Sequence, residues 1–152
     1  MIYVLGLLMG VITGLRAMTA AAAVSWAAYL GLLNVAGGWL SFLGSTWTVI
    51  ILTVLAIGEL VTDQLPSTPS RKIPMQFGAR VLIGAVAGTA IAGSGNWLVG
   101  ALAGIVGAVI GTLGGASVRS QLATNFGKDA PAAFIEDAVA IIGAALIVLA
   151  LK

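Results

Sequence analysis

Cysteine and histidine are both absent from this chain of 152 residues. Their absence excludes disulfides, thiol chemistry, iron–sulfur and haem ligation, and nearly every zinc or copper site, so any metal would need oxygen ligands. Without histidine the common Ser-His-Asp arrangement cannot be built, and no serine sits in a nucleophile elbow. Neither an enzyme nor a cofactor is therefore expected. Charge is scarce as well: 8% of residues are charged, against roughly 25% in an ordinary soluble domain. The formal net charge of +2 is too small, and the basic residues too dispersed, to suggest a nucleic-acid partner.

What fills the space is apolar. The chain is 60% hydrophobic, with a mean hydropathy of +1.12, and this composition predicts an all-α integral membrane protein, one transmembrane domain over 1–152, whose partner is the lipid bilayer. No basic segment precedes the first apolar run, so it reads as a span rather than a secretory signal. A crossing needs about 20 apolar residues, which gives about five spans, over 2–33, 46–65, 77–94, 97–125 and 131–151. The first and fourth are longer than one crossing needs and each holds an arginine, so they read as tilted or broken. Among the connections, "LPSTPSRKIPMQ" has three prolines with Arg71 and Lys72, "AGSGNW" is a tight uncharged turn, and "NFGKDAP" carries Lys128. The basic bias of Arg71, Lys72, Arg80 and Lys128 puts the second and fourth connections in the cytoplasm of a bacterial inner membrane. An odd number of spans then predicts a cytoplasmic N-terminus and an extracytoplasmic C-terminus. Trp26, Trp39, Trp47 and Trp97 read as interfacial belt residues.

Glycine is abundant and patterned. Gly6, Gly10 and Gly14 precede Arg16, and Gly100, Gly104, Gly107, Gly111 and Gly115 precede Arg119. Residues three or four apart share a helix face, so each series is a smooth stripe where another backbone can approach. Paired acids follow in each half: Glu59 and Asp63, then Glu136 and Asp137. The recurring order predicts an inverted repeat, with halves over roughly 1–75 and 97–152 and the span 77–94 between them. The stripes also suggest a homo-oligomer built through glycine-rich faces.

A charge at bilayer depth costs at least about 2.5–3.5 kcal/mol, so each should pair or face water. Arg16, near the middle of "GVITGLRAMTAAAAVSW", should have a partner inside the bundle, with Glu59 or Asp63 the natural choices; these two share a face four residues apart. Within or beside the spans stand Arg16, Arg80 and Arg119 against Glu59, Asp63, Glu136 and Asp137. In a structural reading the set is an ion-pair network that locks the helices. In a functional reading a spare carboxylate carries a proton or cation, and an arginine receives an anionic group. Arg16, Glu59, Asp63, Arg119 and Glu136 are the candidate solute or ion site, and Arg80 and Asp137 read as structural or interfacial. Glu136 and Asp137 point about 100° apart, leaving one of them to favour the helix N-terminus.

"GLRA" in the first span, "ELVTDQLP" closing the second, "GARVLIGAVAG" opening the third, and an arginine followed by "IEDAVAIIGAALIVLAL" at the end together resemble the bacterial membrane family called domain of unknown function 4126. The resemblance runs in order over nearly the whole chain and rests on Arg16, Glu59, Asp63, Pro66, Arg80, Arg119, Glu136 and Asp137. It implies a small polytopic inner-membrane protein and brings no established activity. The residues themselves suggest a small transporter or channel-like protein with a buried Arg/acidic site, moving a small anionic or amphipathic solute with proton coupling. A purely structural or lipid-interacting role is the alternative.

Overall fold

A computed structural model describes residues 1–65, 73–93 and 95–152. Among them are seven helices and no strand: α1 (Ile2–Leu15), α2 (Ala17–Tyr29), a short 3-10 helix (Trp39–Gly44), α3 (Thr46–Thr62), α4 (Pro74–Ala92), α5 (Trp97–Phe126) and α6 (Asp129–Leu149). Helices α4, α5 and α6 are long and apolar enough to cross a membrane, while α1 and α3 are apolar but shorter. The chain has the build of a membrane protein, with three such helices where five spans were expected. Its punctuation is conventional in the second half. Pro74 opens α4, Asn96 Oδ1 accepts from the Leu98 and Val99 amides to cap α5, and Gly127 ends α5 at φ +67°, where a Cβ would be strained. Pro66, Pro69, Arg71 and Lys72 of the second connection lie outside the described residues, as does Ser94 of the third.

The largest departure from expectation is in the first apolar run. Of the two expected forms it is broken rather than tilted, and the break reverses the chain: Arg16 adopts an extended backbone (φ −141°, ψ 99°) and separates α1 from α2, whereas the fourth apolar run is the unbroken α5. The Tyr3 hydroxyl accepts a hydrogen bond from the Asn96 amide at the α4–α5 turn (3.1 Å), so α1 begins at that end of the bundle. Beyond α2, residues 34–40 flank Thr89, Ala90, Gly93 and Trp97 at the same end. The chain therefore runs down α1, reverses at Arg16 and returns along α2. Fourteen residues give α1 a length of about 21 Å, short of a hydrocarbon core of about 30 Å. The tip sits beside Arg80, six residues into α4, which places it about 9 Å inside the end where α4 starts.

Helices α3, α4, α5 and α6 then alternate in direction, and the last turn of α6 packs with Leu33 near the end where the chain began. Both termini lie at one end of the bundle, not at opposite ends as an odd number of spans requires. The reversal at Arg16 adds the extra change of direction.

The glycine stripes are spent inside the molecule. Gly6 faces Gly88 and Gly100, Gly10 faces Gly104, and Gly14 faces Ala108, Gly111 and Thr112, while Gly84 and Gly88 meet Gly104 and Gly100 from α4. A Cβ on Gly104 would lie 3.2 Å from the Gly88 Cα and closer still to the Gly84 carbonyl. Backbone approach of this kind lets α1, α4 and α5 form the tightest part of the bundle. The ascending order of the α1–α5 contacts also means that the two glycine-bearing helices run in the same sense, whereas an inverted repeat would set them in opposite senses. With these faces occupied within one chain, they are not available to join copies of it.

Candidate functional site

A helix break inside a bundle strands the last carbonyls of one helix and the first amides of the next. Here both sets are satisfied by charged side chains from distant helices. Arg80 Nη1 donates to the carbonyls of Thr13 (3.5 Å), Gly14 (2.9 Å) and Leu15 (3.0 Å). The Glu59 carboxylate accepts from the amides of Ala17 (2.9 Å), Met18 (2.9 Å) and Thr19 (3.4 Å). A cation therefore closes the negative end of α1 and an anion the positive end of α2, the signs the helix dipoles favour. Arg80 and Glu59 also approach each other at 3.9 Å. Of the two expected partners of Arg16 it is Asp63 that pairs with it, while the Glu59 oxygens face backbone amides and Arg80.

Arg16 itself is wholly buried. Its guanidinium pairs with Asp63, donates through Nε to Asp137 Oδ1 (2.5 Å), and lies 3.5 Å from Glu136 Oε2 through Nη2. Arg119 reaches the same acids from α5, at 2.5 Å from Asp63 Oδ2 and 3.4 Å from Glu136 Oε2. It also forms a two-point pair with the exposed Asp129 (2.9 and 2.5 Å). Asp63 and Glu136 are thus each shared between two arginines, and the site residues expected from sequence converge, Glu59 by way of the hairpin's backbone.

Two residues sit differently from expectation. Asp137, read as a structural ion-pair or interfacial residue, is buried and bound directly to Arg16 rather than at an interface. Because α6 starts at Asp129, Glu136 and Asp137 stand two turns inside it, too deep to cap its N-terminus. Both acids reach Arg16, unequally, from different edges of the guanidinium. Gln64 was missed: its Nε2 donates to Asp137 Oδ2 (2.9 Å), and only its position next to Asp63 could have flagged it. Among the described residues no three acidic side chains are placed to hold a metal ion.

All five acidic residues of the chain belong to this one end of the bundle, joined to Arg16, Arg80 and Arg119. The four tryptophans and two tyrosines lie toward the other end, where a cavity of about 580 Å³ between residues 34–40 and the α4–α5 turn is lined by Trp39 and Trp97 and by no charged side chain. The acidic side chains are thus gathered at the Arg16 end.

No curated protein and no solved structure matches this chain. A family model does match, over residues 3–151, and that interval contains every residue of the charged cluster and both arms of the hairpin. The chain belongs to the family described as domain of unknown function (DUF4126).

Proposed function

We propose that this protein is a small transporter or channel-like protein of the bacterial inner membrane, with the Arg16 cluster as the site of a proton-coupled exchange. The carrying observation is a wholly buried arginine, presented at the tip of a helical hairpin, with three carboxylates around one guanidinium. Broken helices whose ends point at buried charge are how many transporters build an ion site near the membrane interior. Asp63, Glu136 and Asp137 are the exchanging groups. Arg16 already faces all three, so an anionic solute would enter as their competitor, and exchange of a proton on the acids suits the arrangement better than anion capture.

In this reading α3, α4, α5 and α6 cross the bilayer and the α1–α2 hairpin enters it from one side and returns. Lys128 and the sequence-adjacent Arg71 and Lys72 put the charged end in the cytoplasm. Both termini then face outward, with the tryptophans and tyrosines near the outer interface. The rival reading, a lock on helix packing, is favoured by one observation: Arg80 and Glu59 close the hairpin's helix ends. We assign that pair a structural role and the Arg16 set the exchange.

The test uses purified protein in vesicles of phosphatidylethanolamine and phosphatidylglycerol, with melting temperature followed across pH and a panel of small solutes. An imposed pH gradient should drive solute uptake in the wild type, and Asp63→Asn should abolish uptake in protein that still melts cooperatively. If no solute or pH gradient produces flux, and Arg16→Gln and Asp63→Asn do nothing but lower the melting temperature, the cluster is a structural lock.

A further inference from the structure

Two buried polar atoms beside the cluster have no hydrogen-bond partner, and they are of opposite sense. Arg16 uses Nε on Asp137 Oδ1 and Nη1 on Asp63 and the Leu15 carbonyl. Its Nη2, aimed at Glu136 from 3.5 Å, donates no hydrogen bond. Gln64 donates through Nε2 to the other oxygen of the Asp137 carboxylate, while its own Oε1, a buried atom, accepts nothing. Asp137 therefore stands between an idle donor and an idle acceptor, each of which costs about 1–3 kcal/mol if left so. Folded proteins commonly satisfy such atoms with internal water.

The two atoms select what can lie between them. A metal cation cannot accept from Nη2 and is repelled by the guanidinium. An anion without a hydrogen cannot donate to Gln64 Oε1, and any anion would meet three carboxylates. A neutral molecule carrying both hydrogens and lone pairs meets both demands, and the smallest is water.

We propose that bound water, one molecule or a short chain, occupies the space around Asp137 between Arg16 Nη2 and Gln64 Oε1, and that it makes the proton the exchanging ion of this site. The second clause rests on the exchange reading of the cluster; the first rests on the two buried atoms without a hydrogen-bond partner. Water hydrogen-bonded to a carboxylate can relay a proton to it: as one O–H bond breaks and the carboxyl O–H forms, the same water takes a proton from the next water or acid, so no hydroxide is left, and the reverse relay returns the proton. A sodium ion would have to shed its hydration shell into oxygens that two arginines already hold.

The closing experiment is water-to-protein magnetisation transfer by NMR on full-length protein labelled with ¹⁵N-arginine, the Arg16 signals being assigned by their loss in Arg16→Lys. Transfer from water to the Arg16 guanidinium is expected, weakened about tenfold in Gln64→Leu, the effect of deleting one anchoring hydrogen bond; Gln64→Met serves if that variant does not fold. No transfer at Arg16, or transfer unchanged by either substitution, overturns the proposal. A parallel vesicle assay sets a proton gradient against a sodium gradient. Water at Arg16 with flux following the proton gradient supports both clauses. Water at Arg16 without any flux keeps the water site and removes the exchange reading, whereas flux driven by sodium with a dry Arg16 keeps transport and overturns this inference.

Discussion

Removing the Glu59 carboxylate should unfasten the hairpin. In Glu59→Ala the amides of Ala17, Met18 and Thr19, now bound at 2.9, 2.9 and 3.4 Å, lose their acceptor at a partly buried site. The longest of the three bonds is weak, so two amides carry most of the loss. At about 1–3 kcal/mol per stranded donor, with about 0.3–1 kcal/mol for the lost charge at a helix N-terminus, the loss is about 2–7 kcal/mol. Arg80, 3.9 Å from Glu59, would also lose its nearby anion. Glu59→Gln keeps one acceptor oxygen but turns an amide NH₂ toward backbone donors, so it should cost about half as much. The assay is reversible unfolding in mixed micelles, read by helical circular dichroism against a denaturant, together with hydrogen exchange at residues 17–19. Those amides should lose protection in Glu59→Ala before the rest of the bundle does. A Glu59→Ala protein as stable as the wild type, with residues 17–19 still protected, would refute the capping role.

Further outcomes follow from the packing. Gly104→Ala forces a Cβ against the backbone of Gly84 and Gly88, so overpacking should destabilise the bundle by about 1–3 kcal/mol in the same unfolding assay. Gly114→Ala, where nothing lies within 4 Å, should be neutral or stabilising by up to about 1 kcal/mol through helix propensity. Thr19 Oγ1 is buried without a hydrogen bond. Thr19→Val, which replaces that hydroxyl by a methyl of similar shape, should raise stability by about 1 kcal/mol; a lower melting temperature would show that the hydroxyl has a partner.

Much of the membrane character was legible in composition, and the cluster was legible in energetics, because a charge such as Arg16 in so apolar a run must find partners. The ends of α5 and α6 fell within a few residues of expectation because Asn96, Gly127 and Lys128 mark them locally. The reversal at Arg16 was not legible. No glycine, proline or Asx turn marks it; its capping groups arrive from Glu59, 42 residues from Ala17, and from Arg80, 65 residues from Leu15. A turn whose chemistry is supplied in trans leaves no local signal. The sense of the glycine helices followed from that omission, since one missed reversal flips every later direction relative to α1. That Glu59 caps α2 while Asp63 and Asp137 take Arg16 has the same origin: depth along a span tells that a charge needs a partner, but which partner depends on where the hairpin places its backbone.

Because the chain has no native cysteine, sidedness can be read from single introduced cysteines and a membrane-impermeant maleimide on sealed vesicles. Ile2→Cys, Lys128→Cys and Lys152→Cys all fall at exposed positions. The account predicts that Ile2→Cys and Lys152→Cys label from one side and Lys128→Cys only from the other. Labelling of Ile2→Cys together with Lys128→Cys, opposite to Lys152→Cys, would mean that the first apolar run crosses as a single span. The hairpin that carries Arg16 to the acids would then be contradicted.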